Sequence, residues 1–151
     1  MRIKVASIGR EKAGIFAPGV SEYTTRLGHF AKIQLVELAP SPRSGNEAKE
    51  EEADALLGEV GPRDMLVVLD ERGTQFTSVE LARWLGKQLE TGKGLVFAIG
   101  GDEGLADRVR EKAALVWSLS KLTFPHRMAK VLLLEQVYRA FTIVKGLPYH
   151  K

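Results

Sequence analysis

Two stretches of this chain, residues 64–69 (DMLVVL) and 94–99 (GLVFAI), are almost continuously apolar. A strand with one face in water alternates polar and apolar side chains, so a run without alternation belongs where both faces are covered. That is the place of a central strand in a parallel sheet. Further short stretches rich in β-branched or bulky residues, bounded by Gly, Pro, Asp or Ser, bring the predicted strands to five: 2–9, 33–39, 64–70, 94–100 and 116–120. Helical patterns fall between and after them, near 20–30 behind Pro18, 47–57, 78–91, 105–115 and 126–145. The third opens Thr77-Ser78-Val79-Glu80, a capping box in which hydroxyl and carboxylate satisfy each other's orphan amides. Strict alternation of strand and helix predicts a Rossmann-like α/β fold: a mostly parallel sheet of five to six strands with helices on both faces. In such sheets ligands sit beyond the carboxyl ends of the strands, which directs attention to the loops after Leu69, Ile99 and Leu119.

At 151 residues and 44% hydrophobic content the chain suits one domain, residues 1–151, and is short for two. It has no cysteine, and His29, His126 and His150 are scattered without metal-ligand spacing, so no metal site is expected. The N-terminus alternates like a strand and no apolar stretch reaches membrane-spanning length, so a soluble, cytoplasmic protein without a membrane partner is expected. The net charge is +3. Residues 46–58 hold five acids and one lysine, which leaves 21 basic against 14 acidic residues, or +7, over the rest. That separation is compatible with a cationic face for nucleic acid and equally with scattered solvated charge. The turn-rich connection 39–45 (APSPRSG) carries Arg43 at its centre.

The second central strand runs into Gly100-Gly101-Asp102-Glu103-Gly104. This is neither the dinucleotide fingerprint nor a triphosphate loop, and its two carboxylates would repel a phosphate. Its glycines allow positive φ and close backbone approach, which suits an uncharged or cationic ligand, or a tight turn with no ligand at all. Residues 117–127 (WSLSKLTFPHR) then interrupt an apolar run with hydroxyl residues before a helix. Backbone groups beside apolar side chains are the mix that reads a purine edge; Ser118, Ser120 and Thr123 as simple caps are the alternative. The last helix carries apolar residues from Met128 to Val144 over more than one narrow stripe. Such a face suits packing on its own sheet and on a second subunit, so a homodimer is expected. Glu135 and Arg139 stand four apart on one face, and the chain ends PYHK. That ending is a frayed tail by default, or an aromatic, imidazole and ammonium suited to a base beside a phosphate.

The segments IGGDEGL, WSLSKLTFPHRMAKVLLLEQVYRAF and PYHK, with LDERG at 69–73, closely resemble the RlmH family of the SPOUT methyltransferase superfamily. The resemblance runs over the whole chain and is densest from Ile99 onward. It implies a deep trefoil knot in the C-terminal half, a topology that no spacing argument reaches. It also implies methylation of N3 of a pseudouridine in 23S ribosomal RNA with S-adenosylmethionine as cofactor and the ribosome or its large subunit as partner. By this likeness Leu69, Gly100, Leu119, Ser120, Lys121, Leu122, Thr123 and Phe124 match cofactor-contacting positions. Glu135, Arg139, Tyr149 and His150 match active-site positions, in a pocket that a partner subunit would complete. Arg139 would favour an anionic base, His150 would accept the N3 proton, and Lys12, Arg43 and Lys121 would meet RNA phosphates. Two positions depart from the pattern. Lys130 stands where relatives often carry arginine, keeping the charge without the planar fork for bidentate phosphate contact, and Asp102 stands where proline or serine is frequent. A non-catalytic RNA-binding module of the same fold is the alternative function, and a nucleotide-dependent Rossmann enzyme a third, against which the missing fingerprint and Asp102-Glu103 both count.

Overall fold

A computed structural model describes residues 1–10 and 14–151. Lys12, one of the expected phosphate contacts, lies outside them. Five strands, β1 (Arg2–Ile8), β2 (Lys32–Leu38), β3 (Asp64–Gln75), β4 (Gly94–Ile99) and β5 (Leu115–Ser118), form one sheet in the order β2-β1-β4-β3-β5. Every pairing in it is parallel. The two unbroken apolar runs are neighbours near its centre, as their lack of alternation requires.

Side chains leave these strands alternately into two cores. Ile3, Val5, Val67, Leu95, Phe97 and Trp117 meet α1 (Ala17–Leu27), α3 (Ser78–Glu90) and α5 (His126–Val144). Ala6, Ile8, Leu66, Val68, Val96 and Ala98 meet α2 (Gly45–Gly58) and the short α4 (Asp107–Lys112). The first core is the larger. Phe30 stacks on Phe141 with ring centroids 5.3 Å apart, and Leu133, Leu134 and Phe141 of α5 are fully buried. Each such side chain contributes roughly 1.5–3 kcal/mol through removal from water. The capping box at α3 is formed: Glu80 N–H donates to Thr77 Oγ1 at 3.2 Å and Thr77 N–H to Glu80 Oε2 at 2.7 Å.

The structure differs from expectation in two places that shape the site. β3 was expected to stop near Asp70, where the apolar run ends, yet it continues to Gln75. Its pairing with β5 breaks between Leu69 and Thr74 and resumes at Thr74–Trp117. Gly73 makes this possible, because a Cβ there would stand 2.5 Å from the Val116 carbonyl oxygen. The second difference is α4, which has six residues instead of eleven. Leu105 and Ala106 are buried in the loop before it, and Ala113 turns to extended backbone immediately after it.

After β5 the chain does not stay at the sheet edge. His126, the first residue of α5, packs against Gly9 at the end of β1, where a glycine Cβ would stand 3.1 Å from His126 Nε2. Residues 119–125 therefore cross the carboxyl ends of β3 and β4 to reach it.

Candidate active site

That crossing segment roofs a cavity of about 880 Å³. Three loops line it: the turn after Leu69, the glycine loop 100–105, and the segment from Leu119 to Pro125. The glycines are needed by the protein's own packing. A Cβ on Gly100 would stand 2.9 Å from Leu105 Cγ, and one on Gly101 would stand 2.9 Å from Ile8 Cγ2 and 3.2 Å from Glu52 Oε2. Gly104, at φ +82, closes the loop by donating its N–H to the Gly101 carbonyl at 3.0 Å. Thr123 donates to the Glu71 carboxylate, tying the crossing segment to the turn after β3. His126 Nδ1 lies 3.4 Å from Asp102 Oδ1, joining the start of α5 to the glycine loop.

The lining is acidic on balance. Asp70, Glu71, Asp102, Glu103 and Asp107 face three cations, Lys49, Arg72 and Arg110. Burial alone would raise the pKa of Asp70, but bonds from the Arg72 side chain and backbone, with the charge of Arg110, hold it below the ordinary carboxylate range. A concave site with apolar walls from Leu69, Leu119 and Phe124 and an excess of carboxylates favours a cationic ligand with an apolar body.

A second polar cluster lies farther along α5. Arg139 donates to Glu135 Oε1 through Nε at 3.0 Å and Nη2 at 2.5 Å. Tyr149 donates to the same oxygen at 3.0 Å, and its hydroxyl lies 3.5 Å from that of Tyr23. Arg139 Nη1 lies 3.3 Å from His150 Nδ1, and its guanidinium sits 4.8 Å over the Tyr149 ring. Burial, the Tyr23 hydroxyl and the Glu135 carboxylate together push the Tyr149 phenol well above its ordinary range, so Tyr149 is a hydrogen-bond donor at neutral pH. The tail is not frayed. Gly146 at φ +67 turns it back, and Leu147 N–H donates to the Thr142 carbonyl at 2.8 Å.

Residues 1–150 match the family model described as "Predicted SPOUT methyltransferase". The chain belongs to the SPOUT methyltransferase family. It is similar over its full length to proteins named "Ribosomal RNA large subunit methyltransferase H". That of Anaeromyxobacter sp. is 42% identical over 100% of both chains, that of Gloeobacter violaceus 46% over 99% of each, and that of Caldicellulosiruptor saccharolyticus 39% over 99% of each.

The α/β sheet seen here, with the trefoil-knotted C-terminal half expected from the sequence, is the SPOUT fold. Of the positions matched to cofactor contact, Leu69, Gly100, Leu119, Ser120, Leu122, Thr123 and Phe124 all line the one cavity, while Lys121 is exposed and outside its lining. Glu135, Arg139, Tyr149 and His150 come together as one cluster but apart from that cavity. Ala129 is the last residue of α5 in the cavity wall, and ten residues of helix put Arg139 about 15 Å beyond it.

One of the residues expected to meet RNA phosphates is already engaged within the chain. Arg43 is held by Glu47 at 3.0 Å and Glu51 at 2.7 Å, because it faces the acidic side of α2. Lys130, the departure from the family pattern, is a buried residue of α5 with Nζ 3.2 Å from Glu37 Oε1. Three residues escaped the sequence reading. Arg110 looks like any surface arginine of a helical pattern, and Tyr23 has no motif. Glu52 belongs to an acidic run that reads as solvated, yet it is buried with Oε1 accepting from Ser41 N–H at 3.1 Å.

Proposed function

We propose that this chain is an S-adenosylmethionine-dependent methyltransferase acting on N3 of a pseudouridine in 23S ribosomal RNA. It works in the cytoplasm as a homodimer, and residues 1–151 form its single domain. The observation that carries the reading is the closure of the glycine loop and the segment from Leu119 to Phe124 onto one cavity, in a SPOUT chain whose relatives carry an rRNA methyltransferase name.

The donor set suits the cofactor. A volume of about 880 Å³ is within the range of small-molecule sites, roughly 300–1,000 Å³. Leu69, Leu119 and Phe124 supply apolar walls, the backbone of Gly100 and of the crossing segment supplies polar groups, and the carboxylate excess suits a cation. When bound, S-adenosylmethionine supplies an activated methyl group on a positively charged sulfur. The chain's own work is then to position the base, exclude water and manage one proton.

N3 of a pseudouridine carries a hydrogen that must leave as the new N–C bond forms. Arg139, fixed on two sides by Glu135 and His150, is a preorganised cation for the anionic base. Tyr149 holds Glu135 from a third side and keeps its own proton. His150 is the candidate proton acceptor. With Arg139 donating to Nδ1, the neutral ring carries its hydrogen on Nε2, so accepting the N3 proton requires release of that contact. The separation of about 15 Å along α5 supports a composite pocket in which one protomer's cavity faces the other's Arg139 cluster. Exposed Val144 and Leu147 and half-buried Leu132 supply apolar surface for such a contact.

Mass mapping of ribosomal RNA from cells lacking this protein tests the reading: one pseudouridine of the large-subunit RNA loses a methyl group, and the purified protein with S-adenosylmethionine restores it. An unchanged modification pattern rejects it. If calorimetry finds no S-adenosylhomocysteine uptake while RNA still binds, the non-catalytic module is the better account. Uptake of NAD or ATP would favour the nucleotide-dependent Rossmann enzyme.

A further inference from the structure

The helix α4 is too short to hold itself. Six residues make little more than one and a half turns, and an isolated helix of that length is unstable in water. Two arginines anchor it in opposite directions. Arg108 reaches α2, donating to the Glu50 carboxylate at 2.6 Å, the Glu50 carbonyl at 2.7 Å and Asp54 at 2.6 Å. Arg110 reaches the cavity. Its Nη1 donates both to Asp70 Oδ2 at 2.9 Å and to the Leu105 carbonyl at 3.0 Å, while Nη2 bonds Asp107.

Those acceptors belong to different walls. Asp70 follows Leu69 at the break in β3, and Leu105 ends the glycine loop, packed against Gly100 so closely that no Cβ fits there. The Asp70 carboxylate is only 8% exposed and the Arg110 side chain 19%, so water competes weakly for either. Sheet pairing cannot set the distance between these walls, since β3 and β4 are last in register at Val68–Ala98 and the two loops leave the sheet after that point. The Arg110 guanidinium sets it instead, with Nη1 bonded to both walls and Nη2 held by Asp107.

We infer that Arg110 is a positioning residue for the cofactor: it braces the turn after β3 against the glycine loop and so holds the cavity at the width the cofactor needs. The inference rests on the reading that S-adenosylmethionine occupies this cavity. Arg110 need not touch the ligand. Its effect falls on binding and not on the proton handling at Glu135 and Arg139.

Three substitutions test it, read by calorimetry with S-adenosylhomocysteine, by thermal unfolding, and by methylation kinetics on the ribosomal substrate. Arg110→Met raises the Kd by roughly tenfold or more, as expected for losing hydrogen bonds of a charged donor. It raises KM for S-adenosylmethionine to match and leaves kcat at saturating cofactor unchanged. Arg110→Lys, which keeps the charge but is shorter and lacks the second nitrogen that bonds Asp107, recovers part of the affinity. Arg108→Met removes the anchor on the other side of the same helix; it lowers Tm and leaves the Kd alone. The inference is overturned if Arg110→Met binds like wild type, or if Arg108→Met weakens binding as much, which would make the effect one of a loosened α4. Should Arg110→Met not fold, Arg110→Lys decides: wild-type affinity rejects the brace, weakened binding with a native Tm supports it. A wild-type protein that takes up no S-adenosylhomocysteine rejects the reading of the cavity itself, and this inference with it.

Discussion

Tyr149 donates its hydroxyl hydrogen to Glu135 Oε1 at 3.0 Å, the same oxygen that Arg139 grips from one turn farther along α5. The bond makes the last residues of the chain part of the helix surface, and it orients the guanidinium by crowding it against an aromatic face. Arg139→Ala is expected to lower the single-turnover methylation rate by about a hundredfold at saturating RNA and cofactor, the scale of losing one preorganised charge. S-adenosylhomocysteine affinity stays near wild type. A rate that does not change removes the electrostatic role.

The pH profile separates Tyr149 from His150. A phenol held above its ordinary range stays protonated across the working pH, so Tyr149 contributes no inflection below about pH 10. Tyr149→Phe therefore lowers the rate without altering the shape of the pH–rate curve. His150→Gln alters the shape if the imidazole accepts the proton; a curve identical to wild type would end that assignment.

Asp64 predicts acid sensitivity at the other end of the sheet. Burial opposes its ionisation, but the Gly61 N–H at 2.9 Å and the Arg2 guanidinium at 2.5 Å hold its pKa below the ordinary value. A carboxylate depressed in the folded state stabilises above its unfolded pKa of about 3.9, and that stabilisation fades as pH falls through the folded value. Asp64→Asn should lower Tm by roughly 3 °C or more at pH 7, and the gap to wild type should narrow as pH falls below the ordinary carboxylate range. A gap that stays constant as the pH is lowered would contradict this.

Gly73 is a purely steric case. The nearest atoms to an added Cβ are the Val116 and Trp117 backbone, which cannot swing aside. Gly73→Ala forces β3 and β5 apart beyond the break in their pairing, at about 2–3 kcal/mol, or roughly 5–10 °C in Tm. A near-native Tm would mean that the resumed pairing at Thr74 and Gln75 matters little.

Salt dependence distinguishes true RNA contacts from arginines already neutralised. Arg43 is engaged by Glu47 and Glu51, so Arg43→Gln should leave the slope of log affinity against log salt unchanged. Lys121 and Arg127 are exposed at the cavity's crossing segment and the start of α5, without a carboxylate partner among the described residues. Removing either true contact flattens the slope by about one. Binding to a ribosomal RNA fragment at several salt concentrations measures it.

The local order of this protein was legible in its residues. Unbroken apolar runs located the central strands, the Thr77–Glu80 spacing located a formed cap, and the ends of the strands pointed to the loops that line the cavity. These signals work because period and capping depend on neighbours within a few positions. The continuation of β3 past Asp70 was not legible, because it depends on β5 more than forty residues later and on room at Gly73. Nor was the strand order, or the separation of the Arg139 cluster from the cavity.

Charge shows the division most clearly. Composition alone made Arg43, Lys130 and Arg110 equivalent cations, and chain folding gave them different surroundings: Arg43 lies on an acidic helix face, Lys130 is buried beside Glu37, and Arg110 spans two loops. Which elements form, and in what order along the chain, followed from short-range patterning. Which charges remain available to a ligand was decided by contacts between residues far apart in sequence, since a side chain's partner depends on where the packed sheet brings it and not on its neighbours in the chain.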